Sequence, residues 1–289
     1  MFDRILFPTD GGDGADAAFD HVLDLAADHG ATVHLLNVAD TTHDSVTRIG
    51  GEVVDVLERE GEDIVEAAAD RAAERGVETV TEVLQGGVPD TITAYAEEYE
   101  MDLVAMPTRG RTGFDRLLLG STTERVVRES TVPVLSLRPD GGTARYPYRT
   151  ILVPTDGSER AADALDRAVA LADITGATVH VLTVVGVGSV GIEGYSDVDA
   201  LVTDAEEAVA EAAATAEAAG VESVEAVEVG SSAARGIRAY VDEHDVDLVT
   251  MGTQGRTGVE RDLLGSVAER TVRTSPVPVL TVPDPSGGD

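Results

Sequence analysis

The sequence predicts an α/β protein of two tandem domains, each built on an open, five-stranded parallel sheet of the Rossmann-like type. Three observations support this class. Short apolar segments alternate with longer amphipathic ones, as strands and helices do in parallel sheets. The second half of the chain repeats the first at a nearly constant distance. Finally, the length of 289 residues is enough for two domains of ordinary size.

The repeat has the length of a domain. RILFPTDGG at 4–12 matches TILVPTDGS at 150–158, and GATVHLLNV at 30–38 matches GATVHVLTV at 176–184, so both pairs are 146 residues apart. The VPVL segments at 132–135 and 277–280 are 145 apart. A period this long indicates two copies of one domain, not a solenoid. We predict domains over 1–140 and 146–285, joined through a Pro-Asp-Gly-Gly linker at 139–142.

Local signals place the elements of the first copy, and the second copy follows the same order. Strands are predicted at 5–7, 32–39, 77–84, 102–106 and 132–137, and helices at 15–29, 52–75, 90–99 and 122–129. Gly30 and Gly76 end the first two helices, and Pro89 suits the start of the third. DLVAM at 102–106 is apolar after its first residue, as in a strand buried on both faces.

The net charge of −33 comes from 54 acidic and 21 basic residues, and every basic residue is arginine. The acidic residues are spread along helices, so the charge does not indicate disorder. We interpret it as adaptation to a halophilic cytoplasm, where the Debye length falls to roughly 3 Å and carboxylates keep the surface hydrated. The negative field, and only six tyrosines and four phenylalanines, argue against nucleic acid as a partner.

The chain has no cysteine, which excludes disulfides and thiolate-metal sites. No segment resembles a signal peptide, and no apolar run is long enough to span a bilayer. The sequence therefore predicts a cytoplasmic protein with no membrane partner.

A glycine pattern, G-x2-G-x9-G-S, follows the fourth strand of the second copy as Gly252, Gly255, Gly265 and Ser266. Glycine lets the backbone approach a ligand closely, and the N–H groups at a helix start favour an anion. Ligands of open parallel sheets lie at the carboxyl ends of the strands, where the strand order reverses. The pattern therefore predicts a phosphate site at this edge of the sheet.

Three segments together resemble the universal stress protein family, over essentially all of both halves: PTDGS at 154–158, the glycine pattern, and PVPVLTV at 276–282. The resemblance implies an adenine-nucleotide alpha hydrolase-like fold. It also implies ATP bound at the glycine loop, as in nucleotide-binding members, with Mg²⁺ on the phosphates. AMP or ADP stays open as the ligand.

The resemblance assigns a role to each matching position of the second copy. Pro154 and Asp156 would lie by the base and ribose, and Val184 would offer backbone groups to the adenine. Met251, Gly252 and Gly255 would line the ribose and phosphates, while Gly265, Ser266 and Val267 would hold phosphate. We add Arg256 as a charged clamp on the outer phosphates.

The first copy departs from the pattern at one position. The matching residues are Pro8, Asp10, Val38, Met106, Gly110, Gly120, Ser121 and Thr122. Pro107 replaces the first glycine, so the loop loses an N–H donor and is stiffened. We expect a weaker or selective site here, with an empty site as the alternative.

Other polar residues near these segments have two interpretations. Asp10 and Asp156 could contact a ribose or a phosphate-bound Mg²⁺, or they could accept hydrogen bonds from their own turns. We expect His34 and His180 to be packed, hydrogen-bonded strand residues. Ser158 suits a helix N-cap.

The last strand of each copy contains proline, at Pro133, Pro276 and Pro278, which favours a position at a sheet edge. In the family, these strands pair across a two-fold axis. The resemblance therefore implies an internal pseudo-dimer of the two domains, and it leaves a homodimer open. The client protein is not indicated.

Three functions are compatible with these patterns. The first is an ATP-binding regulatory or stress-response protein, because no nucleophile–base pair, zinc ligand cluster or Walker lysine is visible. The second is an enzyme that cuts ATP at the α-phosphate, since TDGGDGAD at 9–16 partly matches the SGG-x-D-S loop of such enzymes. The third is a nucleotide-free interaction module. The intact glycine pattern favours the first.

Overall fold

The computed structural model describes residues 1–40, 52–108, 119–139, 144–186, 195–255 and 264–283. The chain divides into two compact units, residues 1–140 and 141–289. Each unit contains a parallel five-stranded sheet with helices between the strands, so the predicted fold class is confirmed.

The first domain alternates strands and helices along the chain. Its strands are β1 (Arg4–Pro8), β2 (Thr32–Asp40), β3 (Thr79–Gly86), β4 (Leu103–Pro107) and β5 (Val134–Leu137). Its helices are α1 (Asp13–His29), α2 (Glu52–Glu74), α3 (Val88–Glu98) and α4 (Ser121–Glu129). The strands pair in the order β3-β2-β1-β4-β5, all parallel. The order reverses between β1 and β4, which opens a crevice there.

The second domain repeats this arrangement. Its strands are β6 (Thr150–Pro154), β7 (Thr178–Gly186), β8 (Ser223–Gly230), β9 (Leu248–Gly252) and β10 (Val279–Val282). Its helices are α5 (Glu159–Thr175), α6 (Tyr195–Ala218), α7 (Ala233–Glu243) and α8 (Ser266–Thr274). The strands pair in the order β8-β7-β6-β9-β10, again all parallel. The reversal here lies between β6 and β9.

Two predicted strands begin two residues later than expected, each for a local reason. The third strand begins at Thr79 and not at residue 77, because the N–H of Val77 donates to Ala72 and closes helix α2 after Gly76. The fifth strand begins at Val134 and not at residue 132, because Val132 forms a turn with the hydroxyl of Ser130. The third helix begins at Val88, two residues earlier than predicted.

An aspartate joins the two central strands at the amino end of each sheet. Asp102 Oδ2 accepts the N–H groups of Asp3 and Arg4, at 2.8 and 2.9 Å. In the second domain, Asp247 Oδ2 accepts those of Arg149 and Thr150, at 2.8 and 3.1 Å. These bonds hold the start of the first strand against the start of the fourth, and so fix the two strands that border the crevice.

The strand histidines have the structural role that the sequence predicts. His34 Nδ1 lies 3.0 Å from the hydroxyl of Tyr95, and His180 Nδ1 lies 2.9 Å from that of Tyr240. Burial lowers the pKa of both imidazoles. Both therefore belong to the packing between the second strand and the third helix of their domain.

His21 makes the stability of the protein dependent on pH. Its side chain is buried in α1, and burial lowers its pKa to about 4. As the pH falls below about 6.5, the unfolded chain takes up this proton first, so stability is full above that pH and is lost towards pH 4. We expect His21 to account for a loss of about 2 kcal/mol between pH 7 and pH 5.

Chemical unfolding of the wild type and of His21→Asn at both pH values measures this effect. The carboxylates titrate in both proteins, so only the difference between the two pH dependences reports His21. Equal losses in the two proteins would contradict the prediction.

No helix within the described ranges is long and apolar enough to cross a membrane.

Candidate functional site

A cavity of about 410 Å³ opens at the carboxyl ends of β6 and β9, at the reversal of strand order in the second domain. The end of β7 and the starts of α7 and α8 complete its wall. Its lining includes Pro154, Thr155, Asp156, Leu182, Thr183, Val184, Ala233, Ile237, Met251–Gly255 and Leu264–Ala268. Parallel α/β sheets bind their ligands at this position.

The structure brings nearly all the predicted residues of the second domain around this one cavity. The predicted residues that line it are Pro154, Asp156, Val184, Met251, Gly252, Gly255, Gly265, Ser266 and Val267. Arg256 lies outside the described residues. Their roles towards a ligand stay predictions.

Two glycines of the pattern lie so close to neighbouring backbone that a side chain would be crowded there. A Cβ atom at Gly252 would lie 3.0 Å from the carbonyl oxygen of Arg160, in the first turn of α5, so the backbone would have to shift by a few tenths of an ångström. A Cβ atom at Gly265 would lie 3.0 Å from the carbonyl oxygen of Thr253. Real Cβ atoms rarely approach backbone so closely, so glycine at these positions keeps the loop tight around the cavity.

The N–H of Gly265 is not directed to the cavity. It donates to the carbonyl oxygen of Thr253 at 2.8 Å, which closes the loop before α8 begins at Ser266. The first-turn N–H groups of a helix have no acceptor within the helix. The anion-binding groups that remain are therefore those at the start of α8, from Ser266 onwards, with the positive end of the helix dipole.

Asp156 has a structural role and also faces the glycine loop. Its Oδ1 accepts the N–H of Ser158 at 3.1 Å, as expected for an Asp in its own turn. Its Oδ2 would lie 2.6 Å from a Cβ at Gly255. In the first domain, Asp10 Oδ1 likewise accepts the N–H of Gly12, at 3.0 Å. The turn interpretation holds for both residues, and a ribose or Mg²⁺ contact stays a prediction.

Ser158 caps helix α5, as the sequence predicts. Its hydroxyl accepts the N–H of Ala161 at 3.3 Å. We expect Ser158→Ala to lower the free energy of unfolding by about 1 kcal/mol, and Ser158→Gly by only a few tenths. Chemical unfolding without nucleotide measures both variants, because Ser158 also borders the cavity. Equal losses in the two variants would show that the cap is not the stabilising interaction.

Sequence reasoning missed the wall that α7 contributes. Ala233 and Ile237 line the cavity from neighbouring positions of this helix. Between them, a Cβ at Gly236 would lie 2.7 and 2.8 Å from the two methyl carbons of Val184. Glycine inside a helix costs about 1 kcal/mol relative to alanine. A glycine at position 236 was therefore the sequence signal that α7 approaches β7 closely.

The predicted residues of the first domain lie at the equivalent strand and helix ends. Pro8 and Asp10 are at the end of β1 and just beyond it, Val38 is on β2, and Met106 is on β4. Gly120, Ser121 and Thr122 are at the start of α4, and Gly110 lies outside the described residues. The N–H of Gly120 donates to Thr108 at 2.8 Å, which reproduces the loop closure of the second domain.

No group of three potential metal ligands from His, Asp and Glu occurs among the residues that the structure describes. The chain contains no lysine. In the described part of the cavity wall, an anion would therefore be held mainly by backbone groups and the dipole of α8.

Comparison with known proteins gives the same family for both halves. The sequence profile described as the universal stress protein family matches residues 1–138 and 147–283. The chain is 33% identical over 141 residues to the universal stress protein MJ0531 of Methanocaldococcus jannaschii, a match that covers 48% of this chain and 83% of that protein. It is 32% identical over 148 residues to the universal stress protein YxiE of Bacillus subtilis, covering 48% of this chain and all of that protein.

A solved structure has the same fold over the whole length. The crystal structure of a universal stress protein from Archaeoglobus fulgidus superposes with a TM-score of 0.75 and 24% identity, and covers 97% of this chain and 96% of that one. This likeness concerns the fold alone.

Proposed function

We propose, from the premise that the chain belongs to the universal stress protein family, that it is an ATP-binding regulatory protein of the stress response. The observation that supports this most strongly is the cavity of the second domain. It combines an apolar wall, a glycine loop in which side chains would be crowded, and the start of a helix. These are the parts that a nucleotide requires at such a sheet edge.

One end of the cavity suits the adenine base, and the other end suits the phosphates. Its volume of about 410 Å³ falls in the usual range for small-molecule sites. Leu182, Val184, Ile237 and Met251 form an apolar surface for the base. The start of α8, at Ser266 and Val267, offers backbone N–H groups for phosphate.

The negative charge of the phosphates is the part of the ligand that such a site stabilises least. A net charge of −33 and the absence of lysine leave backbone dipoles as the main attraction within the described wall. We therefore propose that Mg²⁺ accompanies the phosphates and that Arg256 acts on the outer ones. We also propose that the protein functions in a salt-rich cytoplasm, where screening reduces the repulsion between the ligand and the protein.

The proposal is tested by measuring what the protein binds. Purified protein, denatured to release small molecules for mass spectrometry, should yield an adenine nucleotide. Isothermal titration calorimetry in molar KCl with magnesium should show binding of ATP, and titrations with ADP and AMP would identify the preferred ligand. If none of the three nucleotides binds, the proposed function is wrong and a nucleotide-free interaction module is favoured.

Incubation with ATP separates a regulator from an enzyme. We expect no repeated turnover, since no histidine, the commonest general base, is among the described residues that line the cavity. Chromatography of the products after prolonged incubation checks this. Many turnovers to AMP or ADP would contradict the regulatory part of the proposal and leave nucleotide binding intact.

We further propose that the two domains pair within one chain through their last strands. Native mass spectrometry, or light scattering in molar salt, would show whether two chains also associate.

A further inference from the structure

The crevices of the two domains occupy the same place in the fold but differ in their side chains. The aligned pairs are Ala233 with Val88, Gly236 with Thr91, and Gly252 with Pro107. The alignment is unambiguous, because α7 begins at Ala233 and α3 at Val88, while β9 ends at Gly252 and β4 at Pro107. In all three pairs, the first domain has the larger side chain. In the second domain, Ala233 and Gly252 line the cavity, and Gly236 immediately precedes Ile237, which also lines it.

The first difference concerns the wall beneath the proposed adenine site. In the second domain, the absence of a side chain at Gly236 allows α7 to approach the methyl groups of Val184, which lines the cavity. The first domain has Thr91 at this position. Thr91 Oγ1 is directed to the end of β3, where it would lie 2.6 Å from a Cβ at Gly86. Thr91 thus places a side chain between α3 and the end of β3, where the second domain has none.

The second difference concerns the loop after the fourth strand. Gly252 is partly exposed at the cavity, whereas Pro107 is buried. A Cβ at Gly252 would lie 3.0 Å from the backbone oxygen of Arg160, which is tighter than most Cβ contacts. Pro107 gives the first domain a stiff loop start without an N–H donor.

The residues at the bottom of the crevice are also less exposed in the first domain than in the second. Pro8 and Thr9 of the first domain are buried, but the matching Pro154 and Thr155 are partly exposed and line the cavity. Less of the first-domain floor is therefore accessible to a ligand.

We propose that each chain binds one ATP, in the second domain only, and that Val88, Thr91 and Pro107 exclude the nucleotide from the first. This inference rests on the proposed function. The chain is then an asymmetric pair, with one domain that responds to nucleotide and one that does not.

Counting the bound ATP tests the inference. Equilibrium dialysis of the intact chain against labelled ATP, at saturation in molar KCl with magnesium, should give one ATP per chain. Two ATP per chain would overturn the inference. No bound ATP would instead reject the proposed function, so the two failures are distinguishable.

Exchanging residues between the two domains tests which domain holds the bound ATP. Gly236→Thr, which installs the first-domain residue beside Val184, should weaken binding at least about tenfold. The combined variant Val88→Ala, Thr91→Gly, Pro107→Gly should gain a second bound ATP. Unchanged affinity in folded Gly236→Thr would overturn the placement in the second domain.

Circular dichroism and the unfolding midpoint establish that each variant is folded. A folded triple variant that still binds one ATP would overturn the role of the three side chains. Where the triple variant does not fold, Gly236→Thr and Pro107→Gly alone decide the question. A second ATP in Pro107→Gly supports the inference, and unchanged affinity in Gly236→Thr overturns it.

Discussion

Replacing Gly252 by valine is expected to weaken ATP binding at least about 100-fold, which corresponds to about 3 kcal/mol. A Cβ at this position would lie 3.0 Å from the carbonyl oxygen of Arg160 and 3.1 Å from its Cβ. The neighbouring atoms belong to the first turn of α5 and cannot rotate away. The loop must therefore move, and with it the cavity wall from Met251 to Gly255. Calorimetry with ATP in molar KCl measures the loss.

Gly186→Val is the matched control for this variant. Gly186 ends β7, as Gly252 ends β9, but nothing lies within 4 Å of a Cβ built there. Nor does Gly186 line the cavity. The same substitution should therefore leave the ATP affinity unchanged. If folded Gly252→Val binds ATP as tightly as Gly186→Val does, the nucleotide is not bound in this cavity.

Replacing Asp247 by alanine is expected to lower the free energy of unfolding of the second domain by about 3 kcal/mol. Asp247 is 7% exposed, and its carboxylate accepts two backbone N–H groups, from Arg149 and Thr150. Removing it leaves both donors without this acceptor at the start of β6. Hydrogen bonds to charged groups contribute more than neutral ones, and buried donors without partners are costly. Denaturant unfolding in molar salt measures the change.

Asp102→Ala provides the comparison within the same molecule. Asp102 accepts two N–H groups in the same geometry, but its bonds lie at an exposed part of the first domain. Water can replace the lost acceptor there, so we expect a smaller loss than for Asp247→Ala. Asp247→Asn, which keeps one carbonyl oxygen as an acceptor, should lie between the wild type and Asp247→Ala. Equal losses at Asp102 and Asp247 would show that burial is not what gives the bond its strength.

The helix and strand assignments followed closely from the sequence where the signal was local. Gly30 ends α1 in the left-handed conformation, with a φ of 64°, as expected for a glycine that ends a helix. Ser158 caps α5, and the DLVAM segment at 102–106 forms most of β4. The starts of β3 and β5 were misplaced, because Val77 and Val132 form hydrogen bonds that close a helix or a turn. Such competition between adjacent elements is not visible in residue periodicity.

The candidate site was predictable from sequence only in part. The glycine pattern and the resemblance to the universal stress protein family identified nine residues that line one cavity. Gly236 and the wall formed by α7 were missed, because the contact of Gly236 with Val184 joins two elements that are far apart along the chain. The N–H of Gly265 was expected to hold phosphate, but it donates to Thr253. Spacing alone does not reveal whether a loop amide is already paired.

The sequence by itself determined the duplication, the alternation of strands and helices, and the place of the glycine loop at the end of a strand. These features depend on periodicity and on the backbone preferences of glycine and proline, which act over a few residues. Only the tertiary structure decided which residues from separate elements share one cavity, and which crevice positions are buried in the first domain but open in the second. Those properties depend on side-chain volume at contacts between distant segments, where one added carbon atom changes how closely a helix can approach a strand.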